Sequence, residues 1–209
     1  MAKDKALAIF YSQCIEFEAI LAAQVLHGEE LSIDVATPSG EDYQGPSGIA
    51  LRATHSCVDT DPAEYRAIIV PGGDTEAVLE NESLIQLLAG ASDSRAALGA
   101  ICAGPRLLGK AGLLLGRRFT HGFGADSTLP EWEGGTYVDE LVVVDRNIVT
   151  AKPQAYIDFA IELLYAAGLR ASWSEKRLRE LGQLTDDDAR EPTIQAVKAQ
   201  YRAIWSSPQ

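Results

Sequence analysis

Three short runs that are apolar throughout, at residues 6–11, 67–70 and 97–101, each give way to a stretch of helical character. Runs this short suit strands, and strands without polar alternation are buried on both faces. The helical stretches fall at about 17–26, 76–89 and 104–115; in the first of them apolar residues return every three or four positions. The pattern also predicts a strand at 31–36 and a peripheral extended excursion at 45–55. A β-hairpin is expected from 137–144 and 148–151 around Asp145-Arg146-Asn147, followed by a helix at about 155–167. Such alternation predicts an α/β fold, a flavodoxin-like three-layer sandwich with a mostly parallel sheet and helices on both faces. Ligands in that architecture sit at the carboxyl ends of the strands, which singles out residues 12–18, 71–74 and 102–105.

A chain of 209 residues supports one sizeable core and is short for two. The expected organisation is an α/β domain over 1–168 and a helical C-terminal extension over 169–209. In the extension Ile194, Val197, Tyr201 and Ile204 recur at helical spacing, so this stripe is expected to pack on the same domain or on a second subunit. A formal net charge of −12 repels phosphate backbones and anionic headgroups, and neither nucleic acid nor a membrane is expected as partner. The first apolar run is too short for a signal peptide or a membrane span. Three widely spaced cysteines, Cys14, Cys57 and Cys102, fit a reducing compartment, with neither a disulfide framework nor a zinc site. The expected location is the cytoplasm.

Cys102 stands between the strand at 97–101 and a helix that Pro105 is suited to open. That is a nucleophile-elbow position: a tight turn exposes the side chain, and the helix N-terminus favours thiolate. Gly104 permits close approach of helix and backbone, while Ala100 stands where the elbow pattern has glycine. The Gly72-Gly73 turn at the end of the neighbouring strand can present a backbone N–H to a developing oxyanion. The plain alternative for Cys102 is an inert buried thiol.

Pro71-Gly72-Gly73, the stretch Ala100-Ile-Cys-Ala-Gly-Pro105, Glu18 after the first strand and Thr120-His121 after the elbow helix together resemble the ThiJ/PfpI superfamily, over about residues 6–168. Within it the set is most similar to the branch of the parkinsonism-associated deglycase. The resemblance implies Cys102 as nucleophile, Glu18 as its carboxylic-acid partner and His121 as a general acid/base. It further implies the amides of Gly73 and Ala103 as oxyanion donors, and a homodimer. A protonated carboxyl beside a thiol can donate a hydrogen bond to the thiolate, which gives Glu18 a physical role. The plain alternative for Glu18 is a first-turn helix residue complementing the dipole; Glu16 is the competing candidate, and the family spacing selects Glu18. His121 titrates near neutrality and can move protons if it reaches the substrate.

Departures from the family narrow the expectation. Ala103 stands where the peptidase and chaperone-like branches have histidine, which disfavours proteolysis. The aspartate and threonine of the isocyanide-hydratase-like branch are both missing. The His-x-Glu that class I glutamine amidotransferases need after the cysteine is represented only by His27-Gly28-Glu29, upstream of it. Lys152-Pro153-Gln154 replaces a Gly-Pro-Gly-like turn of the closest branch. The expectation is a cysteine-dependent, cofactor-free and metal-free glyoxalase or deglycase-like enzyme acting on small 2-oxoaldehydes or their adducts. The alternatives are a redox-responsive protein sensing oxidation at Cys102, and a non-catalytic family member.

Overall fold

A computed structural model describes residues 4–92, 94 and 96–170. The chain divides between Ser172 and Trp173 into two compact units, and every element below lies in the first. The helix expected around Ile194 lies outside the described residues.

The elements follow in order as β1 (Lys5–Ile9), α1 (Glu16–Gly28), β2 (Ser32–Thr37), β3 (Tyr43–Gln44), β4 (Ala50–Leu51), β5 (His55–Ser56) and β6 (Ala67–Val70). Then come α2 (Glu82–Ala91), β7 (Ala97–Ile101), α3 (Pro105–Lys110), β8 (Arg118–Phe119), β9 (Thr136–Tyr137), β10 (Val142–Asp145), β11 (Ile148–Ala151) and α4 (Tyr156–Ala166). Seven strands form one sheet in the order β10-β11-β7-β6-β1-β2-β5, and every pairing in it is parallel except β10 with β11. Strands β6 and β7 are buried at every residue, as their continuous apolar composition predicts.

From β1 the chain crosses to β2 in one direction along the sheet, and from β6 to β7 in the other. Right-handed crossovers running in opposite directions put their helices on opposite faces. Accordingly α1 and α4 pack on each other, as do α2 and α3. Gly99 shows how closely the α4 layer sits: a Cβ there would lie 2.7 Å from a methyl of Leu163 and 2.8 Å from the Phe159 ring. The reversal falls between β1 and β6, and a crevice at such a switch point is the usual ligand site of an open α/β sheet.

Three local expectations change. The helix predicted over 76–89 is two pieces, a 3-10 turn at Thr75–Val78 and then α2, because Asn81 caps a fresh helix by accepting the Leu84 amide at 3.0 Å. The elbow helix stops at Lys110 instead of 115, where Gly112 takes φ +75°. Tyr137 leaves the predicted hairpin and pairs instead with Phe119 in the small β8–β9 sheet, so that the hairpin is Val142–Asp145 with Ile148–Ala151.

Candidate active site

The elbow is built by backbone. Cys102 follows β7 with φ +62°, a left-handed conformation that costs a non-glycine residue on the order of 1–3 kcal/mol. Its amide donates to the Ala151 carbonyl at 2.9 Å, extending the pairing with β11, and its carbonyl accepts the Gly122 amide at 2.7 Å. Gly104, the residue before α3, leaves no room for a side chain: a Cβ would lie 2.6 Å from the Val70 carbonyl oxygen and 2.8 Å from that of Pro71. The ends of β6 and β7 therefore close on each other, and the Cys102 side chain is directed at the turn after β6.

That turn is held from three sides. Tyr11, fully buried, donates its hydroxyl to the carbonyls of Pro71 at 2.8 Å and Gly72 at 2.9 Å. Ile15 donates its amide to Gly72 O at 3.0 Å, and Asp74 donates to Gln13 O at 3.1 Å. Gly73 takes φ +110° against residue 14. Gly72 is pressed onto the elbow, since a Cβ there would meet Ala103 N and Cys102 Cβ at 2.6 Å and the sulfur at 2.9 Å. The amides of Ala103 and Gly73 act on the Cys102 sulfur in favour of its thiolate.

Glu18, in the first turn of α1, is buried and accepts the Gly72 amide at 2.8 Å through Oε2. Its carboxyl also interacts electrostatically with Cys102. Glu16, two residues earlier, serves another purpose: its Oε1 accepts the Ser47 hydroxyl at 2.6 Å and the Ser47 amide at 3.2 Å, tying the β3–β4 hairpin to α1. Burial resists its ionisation, but those hydrogen bonds outweigh burial and hold the Glu16 carboxyl below the usual range.

Burial pushes the Cys102 thiol up to about 11, the Glu18 charge adds to the rise, and the Ala103 and Gly73 amides pull the other way. Glu18 is itself raised by burial against the pull of Gly72 and Cys102. The two groups resist carrying two negative charges at once, so they titrate as a pair sharing the first charge. In the singly charged pair a thiolate forms only with the remaining proton on Glu18. Cys102 is half-buried, whereas Cys14 and Cys57 are buried, with thiols raised chiefly by burial, Cys57 to about 12.

His121 adjoins the elbow through the chain, one residue before the Gly122 amide that binds Cys102 O. Its imidazole is buried, stacked at 4.4 Å on Trp132 and 4.6 Å from the Tyr137 ring. Burial, with Lys152 adding, lowers its pKa. Nδ1 accepts the Phe123 amide at 3.2 Å, so the neutral ring carries its proton on Nε2. Thr120 fixes the strand below: its amide donates to Thr150 Oγ1 at 2.9 Å and its hydroxyl to Glu140 O at 2.9 Å. Lys152 of the altered Lys152-Pro153-Gln154 turn is ion-paired with Asp139. The Pro153 ring and the Cys102 carbonyl both lie within 3.2 Å of a Cβ placed on Gly122, so this turn borders the elbow.

The structure thus brings together Cys102, Glu18, Gly73 and Ala103 and sets His121 on the next segment. Tyr11, Trp132 and Tyr137 are contributors that sequence reasoning missed. Tyr11 sits in the first apolar run and looks like core, and no spacing links Trp132 or Tyr137 to His121. Among the described residues no group of three or more His, Cys, Asp or Glu is placed to hold a metal ion, and no helix is long and apolar enough to cross a membrane.

A profile of the DJ-1/PfpI family matches residues 4–166. A glutathione-independent glyoxalase of Caenorhabditis elegans is 30% identical over 71% of this chain and 80% of its own length. A deglycase of Pyrococcus abyssi is 28% identical over 71% of this chain and 89% of its own. Among solved structures, DJ-1beta of Drosophila melanogaster superposes with a TM-score of 0.72 at 26% identity, covering 86% of this chain and 97% of that one.

Proposed function

The chain belongs to the DJ-1/PfpI family, and from that membership and the setting of Cys102 we propose that it is a cysteine-dependent enzyme of the glyoxalase and deglycase type, acting on small 2-oxoaldehydes or their adducts. The observation that carries this reading is Cys102, held at φ +62° in a strand-to-helix turn with its sulfur packed against the Gly72-Gly73 turn and within the electrostatic reach of the Ala103 and Gly73 amides and of Glu18.

In this mechanism the pair loses one proton, leaving Cys102 thiolate beside protonated Glu18. The thiolate attacks the aldehyde carbon; a C–S bond forms, and the carbonyl electron pair moves to oxygen. The amides of Gly73 and Ala103 stabilise that oxyanion until Glu18 protonates it, giving a hemithioacetal. Glu18, a carboxylate again, removes the hydrogen on the thiol-bearing carbon, and the neighbouring ketone oxygen takes up charge as an enediolate that His121 meets with its Nε2–H. Glu18 returns that proton to the second carbon while the hydroxyl proton of the first carbon passes by way of His121 Nε2 to the second oxygen, leaving a thioester of a 2-hydroxy acid. Water attacks the thioester, the C–S bond breaks, and Cys102 thiolate leaves. The balance is 2-oxoaldehyde plus water to 2-hydroxy acid, with no redox partner.

The test is lactate formation from methylglyoxal by pure, reduced protein without glutathione. Saturable turnover that Cys102→Ser abolishes supports the reading; no lactate at high enzyme concentration rejects it.

One observation favours a second reading, the redox-responsive protein. Cys102 is part-exposed where Cys14 and Cys57 are buried, so mild peroxide reaches it first. Two equivalents of peroxide would carry the thiolate through sulfenate to sulfinate, each reduced to water. Selective addition of two oxygens at Cys102 in a protein without aldehyde turnover would favour this reading over the first.

A further inference from the structure

His121 is set in an aromatic cage, and the cage has its own support. Trp132 closes the 3-10 turn Pro130–Trp132, is 9% exposed, and donates its indole N–H to Ser127 Oγ at 3.0 Å. Phe119 lies 5.3 Å behind it. The indole and imidazole are near parallel, 21° apart at 4.4 Å, while Tyr137 flanks the imidazole at 4.6 Å and 34°. Tyr137 is fixed in turn by donating its hydroxyl to Asp139 Oδ1 at 3.0 Å. Phe123 contributes both its amide, on Nδ1, and its ring, edge-on at 5.7 Å. With rings against the imidazole and Nδ1 taken, Nε2 is the nitrogen left with a proton to give.

We propose that Trp132 and Tyr137 clamp the His121 imidazole in one orientation, and that Trp132 is a positioning residue for proton transfer at His121 Nε2. The catalytic half of this statement rests on His121 acting as the proton carrier proposed above; the clamp itself does not. A ring that keeps its aim loses no rate to reorientation, and misplacement by about 1 Å can cost on the order of 100-fold. The cage also shuts out water, which favours the neutral imidazole. The charged groups beside it, Lys152 and its partner Asp139, are tied to each other. Lys152 lowers the imidazole further, so the indole and this cation act in the same direction.

Trp132 gives the clamp a direct optical readout, because an imidazolium in contact with an indole quenches its fluorescence and a neutral imidazole does not. The chain has three tryptophans, so the experiment uses the full chain with Trp173→Phe and Trp205→Phe. The expected result is emission that rises with pH through one deprotonation step with a midpoint below the ordinary histidine value, and a step that His121→Gln abolishes. Emission independent of pH, or a step that survives His121→Gln, overturns the clamp.

The imidazole titration followed by NMR extends the test to Trp132→Leu and Trp132→Phe. Leu is expected to admit water and move the titration up toward the ordinary value, while Phe, which keeps a stacking ring, restores the wild-type midpoint. On methylglyoxal, Leu should lower kcat about 10-fold with KM within about twofold, and Phe should recover most of it. A kcat unchanged in Trp132→Leu overturns the positioning role. An optical step with no aldehyde turnover in wild type leaves the clamp standing and sinks the catalytic reading instead.

Discussion

Glu18 accepts the Gly72 amide at 2.8 Å, and Gly72 is packed against Cys102, so the position of the acid is fixed by the turn that faces the sulfur. Neither group is free to titrate alone. Burial raises both; the Glu18 charge raises Cys102 further, while the Cys102 thiol pulls Glu18 down. Alkylation of Cys102 by iodoacetamide, followed by mass spectrometry, is expected to climb in two steps with pH. The first marks loss of the pair's first proton and a fractional thiolate; the second, near 11, marks loss of the other. In Glu18→Gln one step should remain. One step in both proteins would mean that the two groups do not share a proton.

The same burial has a stability consequence of definite sign. Burial raises the Glu18 carboxyl in the folded state, so folding favours its protonated form. That contribution is complete below the unfolded carboxyl value and is lost as pH rises through the folded one. Gln resembles the protonated acid and keeps an oxygen for the Gly72 amide. Glu18→Gln should therefore raise Tm at pH 8 and change it little at pH 4, since every tenfold weakening of the carboxyl's acidity on folding costs the charged form about 1.4 kcal/mol. Calorimetry at the two pH values decides; an equal change at both would mean altered packing and not relief of a buried charge.

What could be read from the sequence follows from how local each signal is. β6 and β7 are recognisable because strands buried on both faces need no partner information to look apolar. The elbow is readable for the same reason: strand, Cys102, Gly104 and Pro105 are contiguous. Choosing between Glu16 and Glu18 is different. Residues two apart on a helix face different ways, and which one meets the site depends on how α1 leaves β1, so only the family resemblance selected Glu18. The break in the predicted 76–89 helix was present as Asn81, a strong N-cap hidden inside an apolar pattern. Trp132 lies eleven positions after His121, across a turn with no periodicity, and its stacking exists only through tertiary packing.

Close approach at Gly72 makes a sharp prediction when paired with a control. Gly72→Ala would place a Cβ 2.6 Å from Ala103 N and Cys102 Cβ, both fixed by the elbow. Backbone that cannot move away makes this overpacking, on the order of 1–3 kcal/mol or more, and it should blunt Cys102 alkylation as the turn shifts. Gly28→Ala, at the end of α1 with nothing within 4 Å, should instead stabilise by about 0.5–1 kcal/mol. Urea unfolding of the two variants checks both signs, and a neutral Gly72→Ala would refute the tight contact.

Arg106, one residue into the elbow helix, reaches two acids of opposite character. Nη1 meets Glu76 at 2.5 Å, but that side chain is 73% exposed; Nη2 meets Glu131 at 3.2 Å, whose side chain is 6% exposed. Screening by water leaves the Glu76 pair worth about 0–1 kcal/mol, whereas stranding a buried charge costs about 3–5 kcal/mol. Glu76→Ala should therefore change stability by less than about 1 kcal/mol, and Arg106→Met by about 3 kcal/mol or more, because Glu131 would be left without its cation. Adding Glu131→Leu to Arg106→Met should recover most of that loss, since the double variant has no charge left to bury. If the double variant is no more stable than Arg106→Met, the cost lies in packing around the Arg106 stem. The elbow helix is then held by that stem and not by the ion pair.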